Sequence, residues 1–378
     1  MSTQIFKSSF IISAVLLLNS ACVQRQQQQP QSNSVVLAYV TSWSSIMPDP
    51  DYVTHINYAF GHVNESFNGV MINRPSRAES NNNDDGRPTS EDRLRSLVEL
   101  KKQKPSLKIM LSIGGWGSGR FSEMAADEAN RIAFAADCQR VVQEFGLDGI
   151  DMDWEYPTSS AAKISSSPDD TENFTSLMRD IRQAIGKDKL LTFASASNAG
   201  YVDFKAIETY VDFVNIMTYD INTNGSAHHA GLYRSELTGA PGRGLSCEES
   251  VDAHVAAGIP IHKLTLGLPF YGHGRDSVPN SIDYRNIINK RGVVGILSRN
   301  GAETLLQGHS AKWDETAQAP YWVDAEGGFV LSYETPRSIA LKCEWLKRKG
   351  MLGAMYWEYA GDDDEGTLRK VVYDGVMN

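Results

Sequence analysis

Short apolar runs alternate along this chain with longer segments whose apolar residues recur every three or four positions. A short run bounded by turn residues reads as a strand, and the longer period reads as an amphipathic helix. Strands are predicted at residues 35–41, 55–60, 108–113, 149–154, 190–196, 213–219, 263–269 and 352–357. Helices are predicted between most of them, including 90–103, 131–145, 171–185, 246–257 and 336–349. Strands alternating with helices imply a parallel sheet. Eight such repeats in 378 residues suit an α/β fold of the TIM (β/α)8 barrel type. An open doubly wound sheet is the alternative, weakened because no predicted strand leads into a phosphate-binding glycine loop. One interval breaks the rhythm: about residues 272–333 separate the seventh strand from its helix.

The N-terminus stands outside that pattern. Lys7 supplies a basic start, residues 10–18 an apolar core, and Asn19-Ser20-Ala21-Cys22 a small-residue cleavage region, which together read as a signal peptide over 1–22. The apolar run is too short to span a bilayer as a stable helix. The small residues before Cys22 resemble a bacterial lipoprotein processing site, although Asn19 stands where Leu is common. Lipidation at Cys22, tethering the exported protein to the cell envelope, is therefore expected; a plain secretory signal with an incidental cysteine is the alternative. Residues 23–34 are polar and Gln-rich, as in a disordered linker, and residues 35–378 form the predicted barrel.

Composition narrows the partners. The 41% hydrophobic content can fill a large core. Net charge is −10 with no Lys/Arg-rich run, which argues against nucleic acid and is compatible with a neutral polysaccharide. Beyond Cys22 only Cys138, Cys247 and Cys343 remain, widely spaced and odd in number, so no disulfide framework is expected. Cys138 and Cys343 read as small buried residues of helices. No Cys/His spacing suggests a zinc site, and the pair His228-His229 reads as loop surface. Neither metal nor cofactor is expected.

The chemistry concentrates in Asp148-Gly149-Ile150-Asp151-Met152-Asp153-Trp154-Glu155-Tyr156-Pro157. Side chains two apart share one face of a strand. Asp151, Asp153 and Glu155 therefore point one way, and Ile150, Met152 and Trp154 the other. Asp148 has the opposite parity and suits hydrogen bonding at the strand start. Three stacked carboxylates repel one another and resist desolvation, so at least one should hold a proton near neutral pH. Acid catalysis needs that state beside carboxylates that orient and stabilise charge. A solvated acidic face or a calcium site is the bland alternative. Calcium ligands usually come from flexible loops, whereas this row is flanked by Trp154, Tyr156 and Pro157.

This segment resembles the signature Asp-Gly-x-Asp-x-Asp-x-Glu of family-18 glycoside hydrolases, the chitinases and their relatives. Further matches follow in the family's order: Ser112-Ile113-Gly114-Gly115-Trp116, Met217-Thr218-Tyr219-Asp220, Gly267-Leu268-Pro269-Phe270-Tyr271 and Gly353-Ala354-Met355-Tyr356-Trp357-Glu358. The resemblance spans the chain from about residue 35 onward. It implies that Glu155 protonates the glycosidic oxygen, that Asp153 positions the substrate's 2-acetamido group, that Asp151 tunes Asp153, and that Tyr219 meets the acetamido oxygen. It implies substrate assistance in place of a protein nucleophile. By the same resemblance Tyr39 and Ser112 hydrogen-bond the aspartate pair, and Trp357 floors the subsite of the distorted sugar. Phe60, Trp116, Met217, Asp220 and Tyr271 complete the expected substrate contacts, although core packing is an alternative for Phe60 and Trp116, as it is for Tyr58. The 272–333 interval looks like a shortened form of the family's small α+β insertion.

There are departures. His273 stands where many relatives carry Arg, and the loop after Asp220 lacks the aromatic residue often found there. The leading expectation is a monomeric chitinase hydrolysing β-1,4-linked N-acetylglucosamine polymers or oligomers. An endo-β-N-acetylglucosaminidase acting on the N-glycan core uses the same carboxylates. A non-catalytic chitin-binding lectin usually lacks the terminal acid, and here Glu155 is present.

Overall fold

The chain runs through β1 (Val35–Thr41), β2 (His55–Val63), β3 (Val70–Met71), α1 (Ser90–Glu99), β4 (Lys108–Gly114), α2 (Phe121–Ala126), α3 (Glu128–Phe145) and β5 (Gly149–Asp153). It continues through α4 (Asp170–Ile185), β6 (Leu190–Ser195), α5 (Phe204–Ile207), β7 (Phe213–Ile216), α6 (Cys247–Ala257) and β8 (Leu264–Pro269). Then come β9 (Tyr271–Gly274), β10 (Ile282–Asp283), α7 (Tyr284–Ile287), β11 (Ser310–Asp314), β12 (Ala319–Val323) and β13 (Phe329–Ser332). The last elements are α8 (Pro336–Lys349), β14 (Gly353–Trp357) and α9 (Thr367–Met377). In this computed structural model the described residues are Met1, 34–72, 88–239, 244–276, 278–288 and 309–378. The predicted signal beyond Met1, Cys22 and the linker up to residue 33 lie outside them.

Eight of these strands are parallel neighbours in the order β1-β14-β8-β7-β6-β5-β4-β2, and β2 pairs back onto β1. The sheet is closed: a TIM barrel, as the alternation of strands and helices predicts. Ile150, Met152 and Trp154 turn outward into the main core with Leu111, Phe174 and Leu177. Trp154 stacks on Phe121 at 5.4 Å and meets the edge of Phe174 at 6.0 Å. The helices carry local stop and start signals. Thr89, Ser246 and Thr335 form capping boxes for α1, α6 and α8, and Gly146 and Gly350 end α3 and α8 in the left-handed conformation.

The boundaries differ from the expectations in informative places. The 213–219 strand ends at Ile216, after which Met217 N donates to the Ser195 carbonyl and Thr218 Oγ1 to the Gly267 carbonyl. The 90–103 helix tightens into a 3-10 turn at Leu100–Lys102. Helix α9 was not predicted; it buries Leu368, Val372 and Val376.

Between β8 and α8 the described residues form a second sheet, antiparallel, in the order β10-β9-β13-β12-β11. Val278, Ile282, Ile287, Trp322, Val330, Leu331 and Tyr333 make its own small core. Because β9 begins two residues after β8 ends, the insertion rises directly from the barrel rim.

Candidate active site

Side chains from β1, β4, β6 and β7 converge on one carboxylate of β5. Asp151 is fully buried and accepts four hydrogen bonds: from Tyr39 Oη at 2.8 Å, Ser112 Oγ at 2.8 Å, Thr192 Oγ1 at 2.5 Å and Asn215 Nδ2 at 3.2 Å. Thr265 Oγ1 donates to Asn215 Oδ1 at 2.8 Å, which turns the amide N–H toward Asp151. Burial raises the Asp151 carboxyl above its ordinary value, against the pull of these donors. Asp148, at the strand start, instead accepts from Lys101 Nζ at 2.7 Å and Ile109 N at 2.9 Å, as its parity suggests.

Asp153 is also buried, and its Oδ1 has no hydrogen-bond partner among the described residues. Burial, then the charges of Glu155 and Asp151, push its carboxyl well above the usual range. Glu155 lies just past the end of β5 and is partly exposed. Burial pushes it up to about 7; the Tyr156 hydroxyl pulls the other way and the charge of Asp220 adds to the rise. Gly114 makes this corner possible. Its φ is 134°, and a Cβ there would lie 1.9 Å from the Asp153 carbonyl oxygen.

Tyr219 is buried past the end of β7, with its hydroxyl 3.8 Å from Met355 Sδ. Met217 packs with Tyr39, Tyr219 and Met355 in one cluster inside the barrel mouth. On the same rim Trp357 stacks on Phe60, centroids 5.6 Å apart at 16°, and tilts against Tyr39 at 5.7 Å. Trp43 stands 6.4 Å from both Phe60 and Trp357 and is 66% exposed. Trp116 is 64% exposed and meets Tyr156 edge-on at 6.4 Å. Tyr58, by contrast, is core, donating to the Ser90 carbonyl at 2.8 Å. Large rings left in water beside a polar cleft are surfaces on which the C–H faces of a sugar can stack.

Asp220 holds the insertion side. Its φ is 55°, and its Oδ1 accepts from Tyr271 Oη at 2.5 Å and lies 2.7 Å from His273 Nε2 and 3.8 Å from His229 Nδ1. Burial pushes the Asp220 carboxyl up, but His229, His273 and Tyr271 outweigh it and hold it well below the usual range. A depression lined by Asp220, Phe270, Tyr271, His273, Ser281, Asp283, Trp357 and Glu358 opens here.

The structure thus brings the sequence-predicted set Glu155, Asp153, Asp151, Tyr39, Ser112, Tyr219, Met217, Asp220, Tyr271, Phe60 and Trp357 to one barrel mouth, with Trp116 at its exposed edge. Reading His228-His229 as loop surface is corrected: both are buried. The loop after β7 packs against the insertion, where His228 Nε2 lies 3.2 Å from Asp314 Oδ2 and His229 N donates to Ser332 Oγ at 3.0 Å. Sequence reasoning also missed Thr192, Asn215 and Trp43. A polar residue inside an apolar strand run was the available signal for the first two.

This arrangement defines a barrel with an acid–base carboxylate row and an aromatic-lined cleft. Residues 35–362 match the family description Glycosyl hydrolases family 18, and the chain belongs to that family. Chitinase A1 of Niallia circulans is 29% identical over 97% of this chain and 62% of its own length. The Endochitinase of Manduca sexta is 28% identical over 89% of this chain and 65% of its own. The chain therefore spans a little under two thirds of these curated relatives. Among solved structures, a family 18 N-acetylglucosaminidase from Paenibacillus barengoltzii superposes with a TM-score of 0.71 at 34% identity, covering 90% of this chain and 99% of that one. Chitinase ChiW from Paenibacillus sp. str. FPU-7 gives 0.72 at 29% identity, over 91% of this chain and 43% of that one.

Proposed function

We propose that this protein is a chitinase that hydrolyses β-1,4-linked N-acetylglucosamine chains with retention and substrate assistance. The observation that carries the reading is the pairing of Glu155, poised to hold a proton near neutral pH, with the unpartnered buried oxygen of Asp153. Glu155 donates its proton to the glycosidic oxygen as the C1–O bond breaks. The 2-acetamido carbonyl oxygen of the same sugar bonds to C1, giving an oxazolinium ion. Asp153 Oδ1 accepts the acetamido N–H, and Tyr219 donates to the acetamido oxygen. Water then attacks C1 and yields its proton to the Glu155 carboxylate, reopening the ring and restoring the acid. Asp151, held by its four donors, limits how far charge can build on Asp153.

The similarity to an N-acetylglucosaminidase at 34% identity supports a second reading, release of N-acetylglucosamine units as the main products. Incubating the protein with chitin oligomers and with an intact N-glycoprotein, then weighing the products, separates these outcomes and the N-glycan-core alternative. Glu155→Gln should cut turnover by about 10²–10⁴-fold while oligomer binding persists, because the amide keeps the shape and loses the proton. Near-normal turnover in that variant removes Glu155 from the mechanism.

Export with a lipid anchor at Cys22 is part of the proposal, supported by the apolar run and the Ser20-Ala21 step before it. Expressed in a bacterial host, the protein should fractionate with membranes, and Cys22→Ser should release or misprocess it. Soluble wild type unmodified at Cys22 leaves simple secretion.

A further inference from the structure

We propose that Asp220, His229 and His273 form a binding site for one divalent transition ion of the zinc type at the insertion-side edge of the cleft. One ligand atom from each residue lies within 4.8 Å of the other two. The imidazoles of His229 and His273 stand 4.9 Å apart at 89°, so their nitrogens converge without stacking. Four-coordinate zinc with bonds near 2.1 Å sets its ligand atoms about 3.4 Å apart. The distances from Asp220 Oδ1, 2.7 Å to His273 Nε2 and 3.8 Å to His229 Nδ1, bracket that spacing.

Two observations beyond proximity point to a ligand. His229 is wholly buried, yet neither ring nitrogen makes a hydrogen bond to the described residues, the nearest acceptor being Asp220 Oδ1 at 3.8 Å from Nδ1. Each unsatisfied buried polar group typically costs about 1–3 kcal/mol. No hydrogen bond to the described residues uses its ring nitrogens, whereas metal binding would use the free lone pair. His273 is oriented from behind: its Nδ1 lies 2.5 Å from the Asn280 carbonyl, which only accepts. Nδ1 therefore carries a hydrogen; Nε2 donates to Asp220 Oδ1 at 2.7 Å while the site is empty, and it is the nitrogen that would exchange its proton for an ion. A backbone carbonyl that fixes the tautomer in this way is the usual outer partner of a metal-ligating histidine.

The donor set decides the ion class. Two imidazoles and one carboxylate suit zinc and its borderline neighbours, while calcium and magnesium prefer oxygen ligands throughout. Three protein ligands leave a fourth position. The Asp220 side chain is 49% exposed, and with His273 it lines the cleft depression, so that position is open to water or to a sugar oxygen. The bland alternative is an ordinary hydrogen-bonded Asp–His pair with a bystander histidine packed beside it.

The test uses the full chain stripped of metal with a chelator and titrated with Zn²⁺ in a calorimeter. A single saturable step is expected, and Co²⁺ should give the visible absorption of a four-coordinate ion. Asp220→Asn and His273→Gln should each weaken the step by more than the ~10–100-fold that loss of a mere orienting partner costs. Circular dichroism identifies folded variants; should His229→Gln fail to fold, anomalous scattering from a Zn²⁺-soaked wild-type crystal must still place the ion between the three residues. No heat, a step unchanged in both folded variants, or an anomalous peak elsewhere overturns the proposal.

Discussion

Tyr39 and Asp151 stand 112 positions apart in sequence and share a 2.8 Å hydrogen bond inside the barrel. The bond ties β1 to β5 and supplies one of the donors that make a buried carboxylate tolerable. Tyr39→Phe removes that donor and keeps the ring that tilts against Trp357. Hydrogen bonds to charged groups contribute about 1.5–3 kcal/mol. Stability of the variant should fall by about that amount in denaturant melts, with kcat reduced more than KM. Unchanged stability would show that the remaining three donors suffice.

The proposed mechanism, together with the raised Glu155 carboxyl, links activity to pH: the acid it invokes must be protonated, so kcat/KM should decline as pH rises through about 7.

The same group links stability to pH, and the sign is definite. Its folded value, about 7, exceeds its ordinary 4.5, so the folded state holds the proton more tightly. That stabilising contribution is complete below about pH 4.5 and is lost as pH rises through about 7. With partial exposure the loss is about 1–3 kcal/mol. Denaturant melts at pH 5 and pH 8 should show wild type losing more stability than Glu155→Gln across that interval. Parallel losses in both proteins would place the titration elsewhere.

Trp357→Ala deletes the ring that stacks on Phe60 and borders the depression on the insertion side. Losing one large stacking surface weakens oligomer affinity by about ten- to a hundredfold. Fluorescence or calorimetric titration on the Glu155→Gln background reads this without turnover. Unaltered affinity would return Trp357 to the core.

Strand and helix alternation and the parity of Asp151, Asp153 and Glu155 were legible because both are local periodicities. So was Asp148 as a strand-start acceptor. The donors Thr192 and Asn215 were hidden because their partner sits on another strand, 41 and 64 residues away. The histidines show the limit most clearly. Asp220 and His229 flank a loop that reads as polar surface, and His273 lies 53 positions from Asp220. Only the second sheet, which covers that loop, buries the two histidines beside the half-exposed Asp220. No spacing rule anticipates such a juxtaposition, because the insertion's position over the rim is a property of the assembled barrel.

Substrate assistance predicts a dependence on the acetamido group that a protein nucleophile would not produce. A polymer stripped of its 2-acetamido groups should resist cleavage between fully deacetylated units, since an amine cannot bond to C1 as a carbonyl oxygen does. Asp153 Oδ1, which has no donor among the described residues, would then lack its substrate partner as well. A thiazoline analogue of the cyclised intermediate should inhibit, because a site complementary to that ring binds its stable mimic more tightly than substrate. Partly acetylated polymer provides the discriminating measurement: each new reducing end should carry an N-acetylated sugar. Frequent glucosamine at those ends would mean that a protein carboxylate attacks C1, and the roles proposed for Asp153 and Tyr219 would fall with it.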